Sequence, residues 1–140
     1  MTSFSLHPTL ARDTVLVFKL PLCRVLLVKD YRFPWLILVP EREFVREIYE
    51  LSPADRVELV EEIAQASEVL RQLFQPDKLN VGALGNVVPQ LHVHVVARFA
   101  TDPAWPGPVW GSGAAEPYAD AELEEIRGRL AATLVGVVGG

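Results

Sequence analysis

Gly85-Asn86-Val87-Val88-Pro89-Gln90-Leu91-His92-Val93-His94-Val95-Val96-Ala97-Arg98 is the stretch from which the fold of this chain is read. From Gln90 onward it alternates with a period of two, as a half-buried β-strand does: Leu91, Val93 and Val95 take one face, and Gln90, His92 and His94 the other. At a rise of about 3.3 Å per residue, neighbours in that polar row stand roughly 7 Å apart, so one substrate can touch two of them. On residue types alone the His-x-His pair has three readings: sheet decoration, a metal pair or a catalytic pair. The metal reading lacks further ligands, since the chain has only three histidines and one cysteine and no Asp or Glu follows His94 at close spacing. A neutral imidazole attacks phosphorus without special tuning, because its ordinary pKa of about 6.5 leaves it largely deprotonated at pH 7. A nearby backbone carbonyl can orient it by accepting from the other ring nitrogen. The preceding turn, Gly82 to Asn86, can offer backbone N–H groups to phosphate oxygens.

Outward from this stretch, the chain spells an α+β domain. Asp13–Lys19, Arg24–Val28 and Trp35–Val39 are predicted strands with no helix between them, which favours an antiparallel sheet. The first two form a hairpin around Pro21. A short helix is expected around Phe44 to Glu50. Ser52-Pro53-Ala54-Asp55 then reads as a helix start, with a capping serine, a proline in the first turn and a carboxylate facing the dipole. The helix runs to about Phe74, with Val57, Val60, Ile63, Ala64, Leu70, Leu73 and Phe74 inward and Glu58, Glu61, Glu62, Glu68 and Arg71 on a solvated face. Lys78–Leu84 is a fourth strand and the histidine stretch the fifth. The proline-rich tail from Thr101 to Pro117 carries Trp105 and Trp110, which need cover on their own domain, in a pocket wall or in a second subunit. Ala119 to Val138 reads as a last amphipathic helix. Ser3 to Arg12 is an irregular or short helical lead-in, in which His7, held extended by Pro8, anchors the segment.

Length and charge narrow the function. With 140 residues, half of them apolar, residues 1–140 are expected to form a single domain with a real core. A net charge of −5 argues against a nucleic-acid polymer as partner while leaving a small phosphate ligand possible. No apolar run approaches the ~20 residues of a membrane span, and no basic, apolar leader opens the chain, so a cytoplasmic protein without a membrane partner is expected. Cys23, alone in an apolar strand, reads as a buried structural thiol.

The stretch resembles the histidine triad family, whose pattern is His-x-His-x-His followed by two apolar residues. Here it stands as Gln90-Leu91-His92-Val93-His94-Val95-Val96, after Gly85-Asn86 where the family usually has Gly-Gln. The resemblance extends to Trp35-Leu36-Ile37-Leu38-Val39-Pro40, similar to the family's strand ending in an apolar-Pro step, and to Asp30, similar to its ribose-binding acid or amide. It implies a five-stranded antiparallel sheet with one long and one or two shorter helices, pairing as a homodimer. It also implies hydrolysis or transfer of nucleoside phosphates through a nucleotidyl-histidine intermediate, with no cofactor. By that resemblance His92 is the nucleophile and His94 supports it or assists the leaving group. Asn80, Gly85 and Asn86 are candidates for binding phosphate or ribose. Three positions depart from the pattern: Gln90 replaces the first triad histidine, Trp35 stands where a further histidine is common, and Val87 is near a position that can carry a hydroxyl. Gln90 hydrogen-bonds but carries no proton at pH 7, while the backbone carbonyl that would orient His92 survives the change. The expected protein is a hydrolase or nucleotidyl transferase for a small nucleoside phosphate, phosphoramidate or dinucleoside polyphosphate. The rivals are a nucleotide-binding module without catalysis and a metal-binding protein using His92 and His94.

Overall fold

The computed structural model describes residues 4–140; Ser3, where the expected lead-in begins, lies outside them. The chain runs α1 (Pro8–Asp13), β1 (Thr14–Lys19), β2 (Cys23–Val28), β3 (Trp35–Pro40), a 3-10 turn (Ile48–Glu50), α2 (Pro53–Phe74), β4 (Lys78–Gly82), β5 (Val93–Arg98) and α3 (Asp120–Gly139). The strands form a five-stranded antiparallel sheet in the order β1-β2-β3-β5-β4, so the α+β fold is the expected one. The region expected as a short helix, Phe44 to Glu50, is helical only over Ile48–Glu50. α3, at 20 residues, nearly equals the 22 of α2. Among the described residues no helix is long and apolar enough to cross a membrane.

α2 starts as its sequence dictates: the Ser52 hydroxyl accepts from the Asp55 amide and Pro53 opens the first turn. Its inward face, however, is Leu59, Glu62, Ala66, Val69 and Leu70, while Val57 and Val60 are 73% and 66% exposed. The carboxylate of Glu62, expected in solvent, is buried and accepts from the Leu22 and Cys23 amides at 3.0 and 2.8 Å. It ties the β1–β2 turn to the helix, satisfying two backbone donors that the sheet leaves over. Burial, together with Glu58, holds its carboxyl above the ordinary range. Glu62 on the inward face sets the buried stripe part of a turn away from the one that the apolar residues alone spell, which leaves Val57 and Val60 outside it. Cys23 is fully buried, and burial foremost pushes its thiol pKa up, as expected of a structural thiol.

The main core lies between the sheet and the long helices. Val25, Leu27, Leu36, Leu38, Val93 and Val95 pack there with Leu59, Val69, Leu70, Leu130 and Leu134. The second face of the sheet is covered too. Leu10 of α1 and Val88 lie over Leu26, Ile37 and Val39, and Phe33 and Val109 close over Val96. β5, between β3 and β4, is therefore buried along its whole length rather than on one face. Its alternation sorts residues to faces correctly, but the histidine face is roofed by chain instead of water.

Candidate active site

The roof is held by an arginine. Arg98 is 1% exposed and donates to Asp102 through Nε and Nη2, at 2.8 and 3.0 Å. It also donates to the Asn80 carboxamide oxygen and the Gly107 carbonyl, both at 2.8 Å. Asp102 further accepts from the Phe99, Ala104 and Trp105 amides, and the Arg98 guanidinium brings its pKa down to about 2. This node folds the proline-rich tail over β5 and seats Trp110 against His94, ring centroids 5.3 Å apart. Gly82 faces His94 across the β4–β5 pair, and a Cβ there would meet the far edge of the Trp110 ring at 3.2 Å. A strand glycine thus admits the indole.

Under this roof lies a cavity of about 490 Å³ whose walls include Asp30, Trp35, Ile37, Val88, His92, His94 and Trp110. The two imidazoles, each 7% exposed, have ring centroids 5.0 Å apart. The Nδ1 of His92 lies 2.8 Å from the Gln90 carbonyl oxygen. A carbonyl only accepts, so the proton sits on Nδ1 and Nε2 keeps a bare lone pair. His94 is the reverse: the Trp35 indole N–H donates to its Nδ1 at 3.0 Å. An indole only donates, so Nδ1 carries the lone pair and Nε2 the proton. Burial first, and the neighbouring His92 second, lower the His94 pKa to about 4, which keeps it neutral at physiological pH. The adjacent rings therefore differ in kind, one with a free lone pair at Nε2 and one with an N–H.

The same tautomers bear on metal binding. A cation held by both Nε2 atoms would require His94 to move its proton and give up the Trp35 bond, and among the described residues no cluster of three or more His, Cys, Asp or Glu side chains is arranged to hold a metal ion.

The other sequence candidates are placed unevenly. Asp30 lines the cavity but is 1% exposed and already receives four donors: the Arg32 amide, Nε and Nη2, and the Glu116 amide. Burial alone would raise its carboxyl, but those bonds, led by the Arg32 side chain, outweigh it and hold the pKa below the ordinary range. Three of these donors converge on Oδ1 and one reaches Oδ2, so the carboxylate is engaged mainly by the chain's own groups and Oδ2 alone keeps acceptor capacity toward a ligand. Asn80 is turned to Arg98 and is not in the cavity wall. Gln90, expected in one row with the histidines, precedes the strand, which begins at Val93. Its carboxamide instead pins the lead-in, accepting from the His7 amide and donating to the Ser5 carbonyl, both at 2.9 Å. His7 caps α1 through Nδ1, the anchoring part expected of it. Gly85, at φ +69°, borders a shallow recess that reaches His92, and Asn86 is exposed beside it. Sequence reasoning overlooked Arg32, at which only the Asp30-x-Arg32 spacing hinted, and read Gly82 as part of a phosphate-facing turn rather than as the β4 glycine that admits the Trp110 ring. Trp110 answers the question of cover, as a cavity wall. Its indole N–H is buried with no partner among the described residues.

Fold and site together define a class: an α+β protein whose antiparallel sheet presents an adjacent imidazole pair to a roofed cavity. The chain belongs to the HIT domain family, whose model matches residues 10–101. Solved histidine triad proteins of Sinorhizobium meliloti 1021 and Marinobacter aquaeolei VT8 are each 45% identical to it, covering 95% and 96% of this chain and 98% of each of those chains, with TM-scores of 0.92. One from Bradyrhizobium japonicum is 41% identical, covering 95% of this chain and 99% of that one, also at a TM-score of 0.92. A search of curated proteins found no match.

Proposed function

We propose that this HIT protein is a nucleotide hydrolase or nucleotidyl transferase in which His92 is the nucleophile and Gln90 stands in place of the first triad histidine. The observation that carries the reading is the bare Nε2 of His92, oriented by the Gln90 carbonyl at 2.8 Å and set in the cavity wall. Nε2 attacks phosphorus; the P–N bond forms as the bond to the leaving oxygen or nitrogen breaks, and the leaving group departs with the electron pair and takes a proton from solvent. The ring then carries positive charge, which the Gln90 carbonyl stabilises through Nδ1–H. Water or an acceptor alcohol attacks the same phosphorus and gives up its proton to solvent, the P–N bond breaks with its electron pair returning to Nε2, and His92 returns to its neutral form. Because Gln90 contributes through its main chain, the loss of an imidazole there spares this step.

The cavity suits a nucleoside phosphate, a phosphoramidate or a dinucleoside polyphosphate. Trp35, Trp110, Ile37 and Val88 offer apolar and aromatic walls to a base, and the unpartnered Trp110 N–H calls for an acceptor on the ligand. Gly85 borders the same recess as His92, and the turn through Gly85 and Asn86 supplies the main-chain amides for the phosphate end in this reading. We further propose that the domain pairs as a homodimer through the exposed stripe Val57, Val60 and Ala64 of α2 and the edge strand β4, where Val81 is 49% exposed; burying that stripe gives apolar area a partner.

A panel of these nucleotide classes, assayed for mononucleotide release and for a base-stable mass adduct on the protein, tests the reading. Wild type gains one nucleotidyl mass; His92→Asn gains none and loses several orders of magnitude in turnover while still binding ligand. Unchanged turnover in His92→Asn overturns the mechanism. Binding without turnover in wild type assigns the chain to the non-catalytic alternative.

A further inference from the structure

Trp35 is one of the two departures from the histidine pattern, and the structure gives it a task. It enters β3 opposite Val96 and lies on the same face as His94, with ring centroids 5.7 Å apart. Its ring is held edge-on by Phe33 at 6.3 Å, so the indole N–H is directed at His94 Nδ1 by packing on both sides. We propose that Trp35 is a positioning residue that locks His94 as the Nε2–H tautomer, making the second imidazole a neutral hydrogen-bond donor to the phosphoryl group under attack by His92.

The inference rests on the nucleotidyl-transfer reading for its catalytic consequence, but not for its structural content. Two rings at this separation can serve one phosphorus only if their Nε2 atoms do different things. If both presented lone pairs, the second would repel the phosphoryl oxygens; if both presented protons, there would be no nucleophile. The Gln90 carbonyl settles His92, and a main-chain group would do so for any residue at position 90. Nothing in the main chain settles His94. Its surroundings are Trp35 of β3, Gly82 of β4, the Trp110 edge and His92, and among these only the Trp35 indole bonds Nδ1. The same bond opposes protonation. An imidazolium would set an Nδ1–H against the indole N–H, donor against donor, on top of the burial that already disfavours the cation. His94 is thereby unavailable as an imidazolium acid, so the leaving group draws its proton from solvent or from its own chemistry. Substrates with an acidic leaving group, such as a nucleotide released from an anhydride, are favoured over those with a simple alkoxide.

Nitrogen-15 NMR of the imidazoles in the ligand-free protein at neutral pH reads the tautomers directly. His94 is expected to show a pyridine-type Nδ1 and a pyrrole-type Nε2, and His92 the mirror pattern. Trp35→Phe keeps a ring in the packing and removes the donor; His94 should then lose the fixed pattern and show tautomer averaging or protonation at higher pH than in wild type. Trp35→His, which restores a ring N–H, should recover it in part. On the best substrate, nucleotidylation by Trp35→Phe should slow about tenfold, with recovery in Trp35→His. A pyrrole-type Nδ1 on His94 in wild type, or an unchanged pattern in a folded Trp35→Phe, overturns the proposal. Because the spectra need no substrate, the result stands apart from the His92→Asn adduct test, and either reading can fail alone.

Discussion

Arg32→Ala separates two parts that Asp30 can play. The side chains of Arg32 and Asp30 are 10% and 2% exposed, and the guanidinium donates to both carboxylate oxygens, at 3.1 and 2.9 Å. It also reaches the carbonyls of Ser112 and Gly113 at 3.2 and 3.3 Å, which join the β2–β3 loop to the far rim of the cavity. Removing it strands a buried carboxylate with two amide donors, and breaking a buried pair from one side costs about 3 kcal/mol or more. For a domain of this size that corresponds to a fall in Tm of roughly 10 °C. Asp30→Asn should be milder, since the amide oxygen still accepts from the Arg32 and Glu116 amides and the guanidinium keeps its bonds to the Ser112 and Gly113 carbonyls. Urea and thermal unfolding of wild type, Arg32→Ala, Asp30→Asn and the double variant, with nucleotide affinity measured on each, give the answer. The double variant should lose less than the sum, the sign of direct coupling. If Asp30 instead binds ribose, Asp30→Asn will weaken nucleotide binding with stability intact, and Arg32→Ala will cost under ~1 kcal/mol, a surface-pair value; that pair of results refutes the clamp.

Further outcomes follow from the same geometry. His94 has its folded pKa lowered to about 4 against about 6.5 unfolded, so the unfolded chain binds the extra proton between those values; stability should decline as pH falls from about 6.5 to 4, by up to about 3 kcal/mol, and urea midpoints at pH 7 and 5 should converge in a folded His94→Gln variant. Gly82→Ala should displace Trp110, whose ring edge would lie 3.2 Å from the new Cβ, costing about 1–2 kcal/mol and altering tryptophan fluorescence; unchanged fluorescence and turnover would contradict the packing described. Gln90→Ala should lose about 1–2 kcal/mol through the two bonds to the lead-in yet retain most nucleotidylation, because the orienting carbonyl remains, whereas a collapse of chemistry with the fold intact would make the carboxamide itself catalytic. Val60→Asp should leave the fold intact and turn a dimer into a ~15 kDa species in sedimentation at micromolar concentration; a wild type that sediments as a monomer removes the dimer.

Much of what depends on a few consecutive residues is legible in the chain itself. The alternation from Leu91 to Ala97 assigns His92 and His94 to one face, although the strand itself begins at Val93. Ser52-Pro53 starts α2 because the cap and the missing proline N–H answer local backbone needs. The orientation of His92 belongs here as well, since its partner is a carbonyl two residues away. What the alternation does not carry is what lies above each face. Glu62 is buried because the β1–β2 turn, 39 and 40 residues distant, has amides to satisfy. Asp30 is filled by a guanidinium two residues on and by an amide 86 residues away. The tautomer of His94 comes from an indole 59 residues earlier. Each of these groups has spare hydrogen-bonding capacity that several partners would satisfy equally well in the extended chain. Only the strand register, the order β3-β5-β4 and the tail held by Arg98 bring one partner within hydrogen-bond reach and exclude the rest, and for His94 that contact decides which nitrogen carries the proton.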